Sequence, residues 1–285
     1  MIAICCVLAY IIVEYFNIKL ALYLSYFITI TGLLLIGIPH GAVDHLLKKS
    51  KTLSIFQFVL KYLLIISFYF VLWQIFPIFS LVIFIIYSSF HFGEAELEES
   101  GLKISSFGAH LKAFLLGLSI LLFIIFTHLP ESIDLITNIP GIDIVNFDEN
   151  KYSLHCLIIE IISLGVIISQ LIVTRKHSYV AVLFFLILGI NVPLILAFVL
   201  YFIFHHSINA WGHLKNGLNL NSFSLYKQAL PYTLGAILIL LTIINFDFSE
   251  IVIMKKLWTN FFIFLACISL PHFLLMHLFY QAKSE

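Results

Sequence analysis

Ten apolar stretches, each bounded by a short polar or helix-breaking interruption, fill most of this 285-residue chain. They run approximately over 2–16, 20–40, 55–76, 78–93, 107–128, 154–173, 178–190, 192–209, 230–246 and 257–279. A helix that crosses a bilayer needs about 20 mostly apolar residues. Hydrocarbon admits only elements that satisfy their own backbone polar groups. Hydrophobic residues make up 62% of the chain and charged residues 11%, against about 45–50% and about 25% in soluble domains. Too little polar surface remains to face water on all sides. The expected fold class is all-α: a polytopic transmembrane helix bundle of about 8–10 spans, ten favoured, as a single domain over 1–285. The apolar N-terminus (Met1–Phe16) reads as a retained first span, because it has no basic region and no small-residue cleavage site.

Charge supplies the orientation. Cytoplasmic loops of membrane proteins carry an excess of Lys and Arg. With ten spans and the N-terminus inside, the cytoplasmic connections hold Lys48, Lys49, Lys51, Lys103, Lys112, Arg175, Lys176, Lys215, Lys227 and Lys283. The outer connections hold Lys19, Lys151, Lys255 and Lys256, with an acidic stretch from Pro130 to Lys151. The expected location is the inner membrane. Basic and acidic residues balance at 15 each, so there is no basic stripe to bind phosphates and no nucleic-acid partner is expected. Cys5, Cys6, Cys156 and Cys267 are scattered and form no CxxC pair, so they read as buried free thiols.

The twelve His are many for such a chain. Under this topology the even-numbered spans end at the cytoplasmic side. The second ends Gly37-Ile38-Pro39-His40-Gly41-Ala42-Val43-Asp44-His45, and the fourth ends His91-Phe92-Gly93-Glu94-Ala95-Glu96. The eighth carries His205-His206-Ser207 and ends near Asn209, with His213 beyond it; the tenth carries Pro271-His272 and His277. Four helices thus bring His to one leaflet. Ionisable residues inside spans face the bundle interior and mark function. Neutral imidazole is a good ligand for Fe, Zn or Cu, and a ligating His usually gives its other N–H to a carboxylate or carbonyl. His40 and Asp44, His91 and Glu94, and His206 and Asn209 are spaced to share helix faces. The spacing predicts that each His is supported by the polar group one turn further on, with the carboxylates as alternate ligands. His110, His128, His155 and His177 read as hydrogen-bonded packing or interfacial residues, and His45, His213 and His277 as interfacial. Glu98, Glu99 and Ser100 read as a solvated loop.

The segments Pro39-His40-Gly41-Ala42-Val43-Asp44-His45, Phe90-His91-Phe92-Gly93-Glu94, His206-Ser207 and Pro271-His272 occur in this order. Together they resemble the Brp/Blh family of bacterial membrane β-carotene dioxygenases. The resemblance spans the chain from the second span to the last. It implies a polytopic iron(II) enzyme that cleaves β-carotene at its central 15,15' double bond with O2, giving two retinal for a co-resident rhodopsin. It implies iron held by several His: His40 and His91 carry over directly, and His206 matches the later His-Ser element. The family pattern also implies a second His one turn away on that helix, where this chain has Tyr201, Phe202, Asn209 and Ala210. His272 is the expected fourth ligand, since it reaches the same leaflet from another helix. His205 is the alternate, although adjacent helical residues point about 100° apart. The expected metal set is therefore His40, His91, His206 and His272 around Fe(2+), with Asp44, Glu94, Asn209 and His205 as supporting or alternate ligands.

A hydrocarbon substrate has no polar handle, so an apolar tunnel must select it and the bond that is cut. Such a substrate dissolves in the bilayer, and a lateral entrance between helices is expected. Gly37, Gly41 and Gly93 would allow the polyene or a neighbouring helix to approach closely. Three other readings compete. A di-iron lipid hydroxylase or desaturase would carry several close His boxes, of which only His40-x4-His45 comes near. The others are a bis-His haem electron carrier and a transporter with His proton relays.

Overall fold

The computed structural model describes residues 1–47, 54–102, 104, 106–142, 149–246 and 253–284. Among these, all regular structure is helical. In chain order the helices are α1 (Ile2–Phe16), α2 (Ile18–Gly32), α3 (Ile38–Ala42), α4 (Ile55–Ile75), α5 (Pro77–Glu99), α6 (Phe107–Thr127), α7 (Leu129–Thr137), α8 (Glu149–Thr174), α9 (His177–Gly189), α10 (Leu194–Tyr201), α11 (Ile208–Gly217), α12 (Ser222–Phe246) and α13 (Ile253–Ser284). A π-turn (Leu33–Gly37) joins α2 to α3, and a second (Phe202–Ser207) joins α10 to α11. Among the described residues, 8 helical runs are long and apolar enough to cross a membrane, with the shorter apolar α1 and α9 beside them. Each apolar stretch of the sequence corresponds to one of these ten. The chain is a polytopic helical bundle.

Several helices run further than the apolar stretches implied. The second span extends over Ile18–Leu46 and the eighth over Leu194–Gly217. The fourth continues two turns past His91 to Glu99, so Glu98 and Glu99 belong to the last turn of α5 and are not loop. Hydropathy underestimates these ends because their polar residues turn inward: Glu94 and Glu96 are buried. All four cysteines are free, but of them only Cys267 is buried, and Cys5 lies on the outer surface. Lys48, Lys49, Lys51 and Lys103, and Asp143 and Asp148 of the acidic stretch, on which the charge argument leans, lie outside the described residues.

The termini are set by ordinary local chemistry. Ser54 and Gln57 form a reciprocal capping box at the start of α4. Pro77 opens α5 at a position where its missing N–H costs nothing. Helices α5 and α6 make the most intimate pair in the bundle. Gly93 lies against the α6 backbone, and a Cβ there would sit 1.7 Å from the Ala113 carbonyl oxygen. Gly117 returns the contact, with its added Cβ 1.9 Å from the Ser89 carbonyl oxygen. Small residues let membrane helices touch backbone to backbone in this way. Gly93 thus serves the neighbouring helix. Because this pair carries His91, its spacing sets the depth of one site residue.

Neither clash is relieved by a side-chain rotation, since the opposing atoms are backbone. Gly93→Ala or Gly117→Ala is expected to destabilise the fold by ~3 kcal/mol or more, read as a lower melting temperature in detergent. A melting temperature within error of the wild type would contradict the close packing.

Candidate metal centre

Three of the four site histidines sit beside a departure from regular helix geometry, while His91 lies in the regular interior of α5. Pro39 has no N–H, so the Leu35 carbonyl one turn back loses its helical partner. The Tyr226 hydroxyl of α12 donates to that oxygen instead. At the end of the π-turn before Pro39, the Gly37 carbonyl accepts from the His40 Nδ1–H. His206 lies in the second π-turn; such wide turns recur at functional sites. The two turns face each other, with the Ile203 and Phe202 side chains against Gly37. Pro271 disturbs α13 immediately before His272. Just upstream, the Tyr87 hydroxyl donates to the Ala266 carbonyl at 2.6 Å, and Tyr62 reaches the Ile268 carbonyl at 3.4 Å.

The result is a ring of four buried imidazoles from four segments. Neighbouring ring centroids are 4.8 Å apart for His40 and His272, 5.0 Å for His272 and His91, 4.8 Å for His91 and His206, and 5.8 Å for His206 and His40. The Nε2 atoms of His91 and His206 approach to 3.1 Å. Two nitrogens each about 2.0–2.1 Å from one ion would stand about 3.0–3.4 Å apart. Candidate ligand nitrogens of His40, His91 and His206 all lie within 4.8 Å of one another. The Nε2 atoms of His40 and His272 are buried without a hydrogen-bond partner.

Those lone pairs are aimed by what holds the other side of each ring. His272 donates from Nδ1 to Asp44 Oδ1 at 2.9 Å and lies 3.0 Å from Oδ2. Tyr62 donates to the same carboxylate at 3.0 Å. His40 donates from Nδ1 to the Gly37 carbonyl. A proton held on Nδ1 leaves Nε2 free to ligate, the arrangement usual for metal-bound histidine. Four neutral imidazoles with no thiolate form a donor set suited to iron, zinc or copper. The residues therefore fit a divalent metal.

The ring borders a cavity of about 1460 Å³, larger than the ~300–1,000 Å³ of most ligand pockets. His40, His91 and His272 open on its wall, while His206 lies behind, stacked against Phe202. The lining is largely aromatic and aliphatic, including Tyr26, Leu33, Phe84, Phe198, Phe261 and Leu265. Leu63 of α4 and Leu238 of α12 line the cavity and are exposed.

A sequence profile of the beta-carotene 15,15'-dioxygenase family matches residues 31–280. The chain belongs to that family. It is also 36% identical over 75 residues to a protein described as beta-carotene 15,15'-dioxygenase from uncultured marine bacterium 66A03, a stretch covering 24% of this chain and 27% of that protein. No solved structure matches.

In this member of the family the supporting contacts cross between helices, contrary to the same-face reading. Asp44 holds His272 rather than His40. Glu94 turns away from His91 and accepts from His277 Nδ1 at 2.6 Å, with His110 at 3.7 Å. Asn209 lies 3.5 Å from His205 rather than beside His206. His205 points away from the ring and donates to Glu96. Of the remaining histidines, His128 is a packed, hydrogen-bonded residue, with its ring nitrogens 2.9 Å from the Ile124 and Val192 carbonyls. His213 lies 2.9 Å from Glu99. Tyr62 and the Gly37 carbonyl had no signal in the sequence, because each acts through a contact that only the tertiary fold creates.

The ring should bind cobalt(II), a spectroscopic substitute for most divalent metals at nitrogen sites. Purified protein is expected to take up the ion with visible absorption bands, and His40→Ala, His91→Ala or His206→Ala to abolish them. Unchanged bands in all three variants would place the metal elsewhere.

Proposed function

We propose that this chain is an iron(II)-dependent dioxygenase that cleaves β-carotene at the central 15,15' double bond with O2, yielding two molecules of retinal. The observation that carries the reading is the placement of the imidazole ring on the wall of a large apolar cavity within a chain of this family. His40, His91, His206 and His272 would hold the metal. Fe(II) bound there supplies the O2 chemistry that amino-acid side chains lack.

The chain's own residues do the remaining work. Asp44 and the Gly37 carbonyl keep the protons of His272 and His40 on Nδ1, so that Nε2 faces the centre. Tyr62 fixes Asp44. The apolar lining excludes water and aligns a polyene by shape alone, since the substrate offers no group to hydrogen-bond. His206, set behind the wall, leaves the cavity side of the centre to substrate and O2. The mononuclear reading draws support from the single group of three or more metal-capable side chains found among the described residues. A di-iron hydroxylase needs a second such group. The protein would lie in the inner membrane with its metal toward the cytoplasmic leaflet, and a rhodopsin in the same membrane could accept the retinal.

Metal analysis of the purified protein, combined with chromatography of β-carotene products under O2, tests the reading. Iron and retinal are expected; no retinal from iron-loaded protein would overturn it. His40→Ala or His91→Ala should abolish cleavage while the protein still inserts in the membrane. Asp44→Asn is expected to weaken iron retention about 10–100-fold with little change in KM for β-carotene. A loss of the same size in KM alone would assign Asp44 to substrate binding.

A further inference from the structure

One buried polar cluster takes no part in the ring. Glu96 of α5 is 2% exposed, His205 4% and Tyr201 fully buried. Glu96 Oε1 accepts from the Tyr201 hydroxyl at 2.9 Å, and His205 Nε2 lies 2.9 Å from Oε1 and 3.1 Å from Oε2. A carboxylate held away from water costs several kcal/mol unless it is well paired, so a purely incidental glutamate here would be a poor use of a helix interior. Tyr201 closes α10, and His205 lies inside the π-turn that follows. The carboxylate therefore grips that turn at its start and in its middle.

We infer that Glu96 is a positioning residue, which pins the π-turn so that His206 rather than His205 faces the metal centre. Tandem histidines make this choice necessary. Adjacent residues on a helix point roughly 100° apart, and a π-turn that relaxed by one residue would carry His205 toward the ring and His206 away. Glu96 removes that alternative by holding His205 on the opposite side. The same helix presents His91 five residues earlier, so α5 supplies one ring member directly and fixes the bearing of another. Phe92, between them in sequence, packs on both Tyr201 and His206 at centroid distances of 5.5 and 4.9 Å. The inference rests on the metal reading of the ring, and its test separates the two.

The test uses full-length protein in detergent, titrated with cobalt(II), together with thermal melting of the metal-free protein. Glu96→Leu alone strands both His205 and the Tyr201 hydroxyl and can fail to fold. Glu96→Leu combined with His205→Leu and Tyr201→Phe removes the carboxylate and both of its partners, a change that is often close to neutral for stability. The triple variant is expected to melt near the wild type yet bind cobalt at least ten-fold more weakly, with shifted visible bands. Glu96→Gln, which keeps the shape, is expected to fall between the two in affinity, also with altered bands. Wild-type affinity and spectrum in either variant overturns the inference and leaves the metal reading standing. A wild-type protein that takes up no cobalt overturns both.

Discussion

Inside hydrocarbon there is no water to satisfy a stranded donor or acceptor, and this chain places at least four imidazoles and three carboxylates in its interior. Almost every local feature near the ring answers that constraint. Pro39 frees the Leu35 carbonyl, and Tyr226 supplies the missing donor. His40 donates from Nδ1 to the Gly37 carbonyl at the end of the first π-turn. Asp44 and Glu96 each accept from a histidine and a tyrosine. His40 Nε2 and His272 Nε2 are left without a hydrogen-bond partner beside the facing Nε2 atoms of His91 and His206, and a divalent cation is the partner that would satisfy several of these nitrogens at once.

This pattern also explains which parts of the structure were legible in the sequence. The spans were, because about 20 apolar residues are a strong one-dimensional signal, and each of the ten apolar stretches has its helix. The site histidines were legible as a group, since four polar segments fall at alternating helix ends. Their partners were not. Helical spacing pairs His40 with Asp44 and His91 with Glu94, but in the fold Asp44 binds His272, 228 residues away. Glu94 binds His277, 183 residues away. Spacing along one helix identifies side chains that share a face; it carries no information on which neighbour that face meets. In a bundle the neighbour decides, because a contact between helices also ties them together.

Helix ends run past the apolar stretches for a related reason. A hydropathy window stops at the first cluster of charge, which placed the end of the fourth span at residue 93. Helix α5 instead continues to Glu99, because Glu94 and Glu96 are buried and hydrogen-bonded to side chains of other segments rather than to water. The acidic residues that looked like a boundary are part of the site's scaffold.

The division of labour between polar and apolar regions follows. Polar partners concentrate at one end of the bundle, where they orient the ring, while the cavity beside it is walled largely by aromatic and aliphatic side chains. An apolar ligand in that space gains nothing from hydrogen bonds and is held by shape and burial alone. Its register relative to the ring is then set by rigid packing, above all by the backbone-to-backbone contact of α5 with α6 that fixes His91. In the proposed reaction, precision at the reacting bond would depend on glycines that pack only on the neighbouring helix: a shift of α5 would displace His91 and, through Glu96, the turn that carries His206.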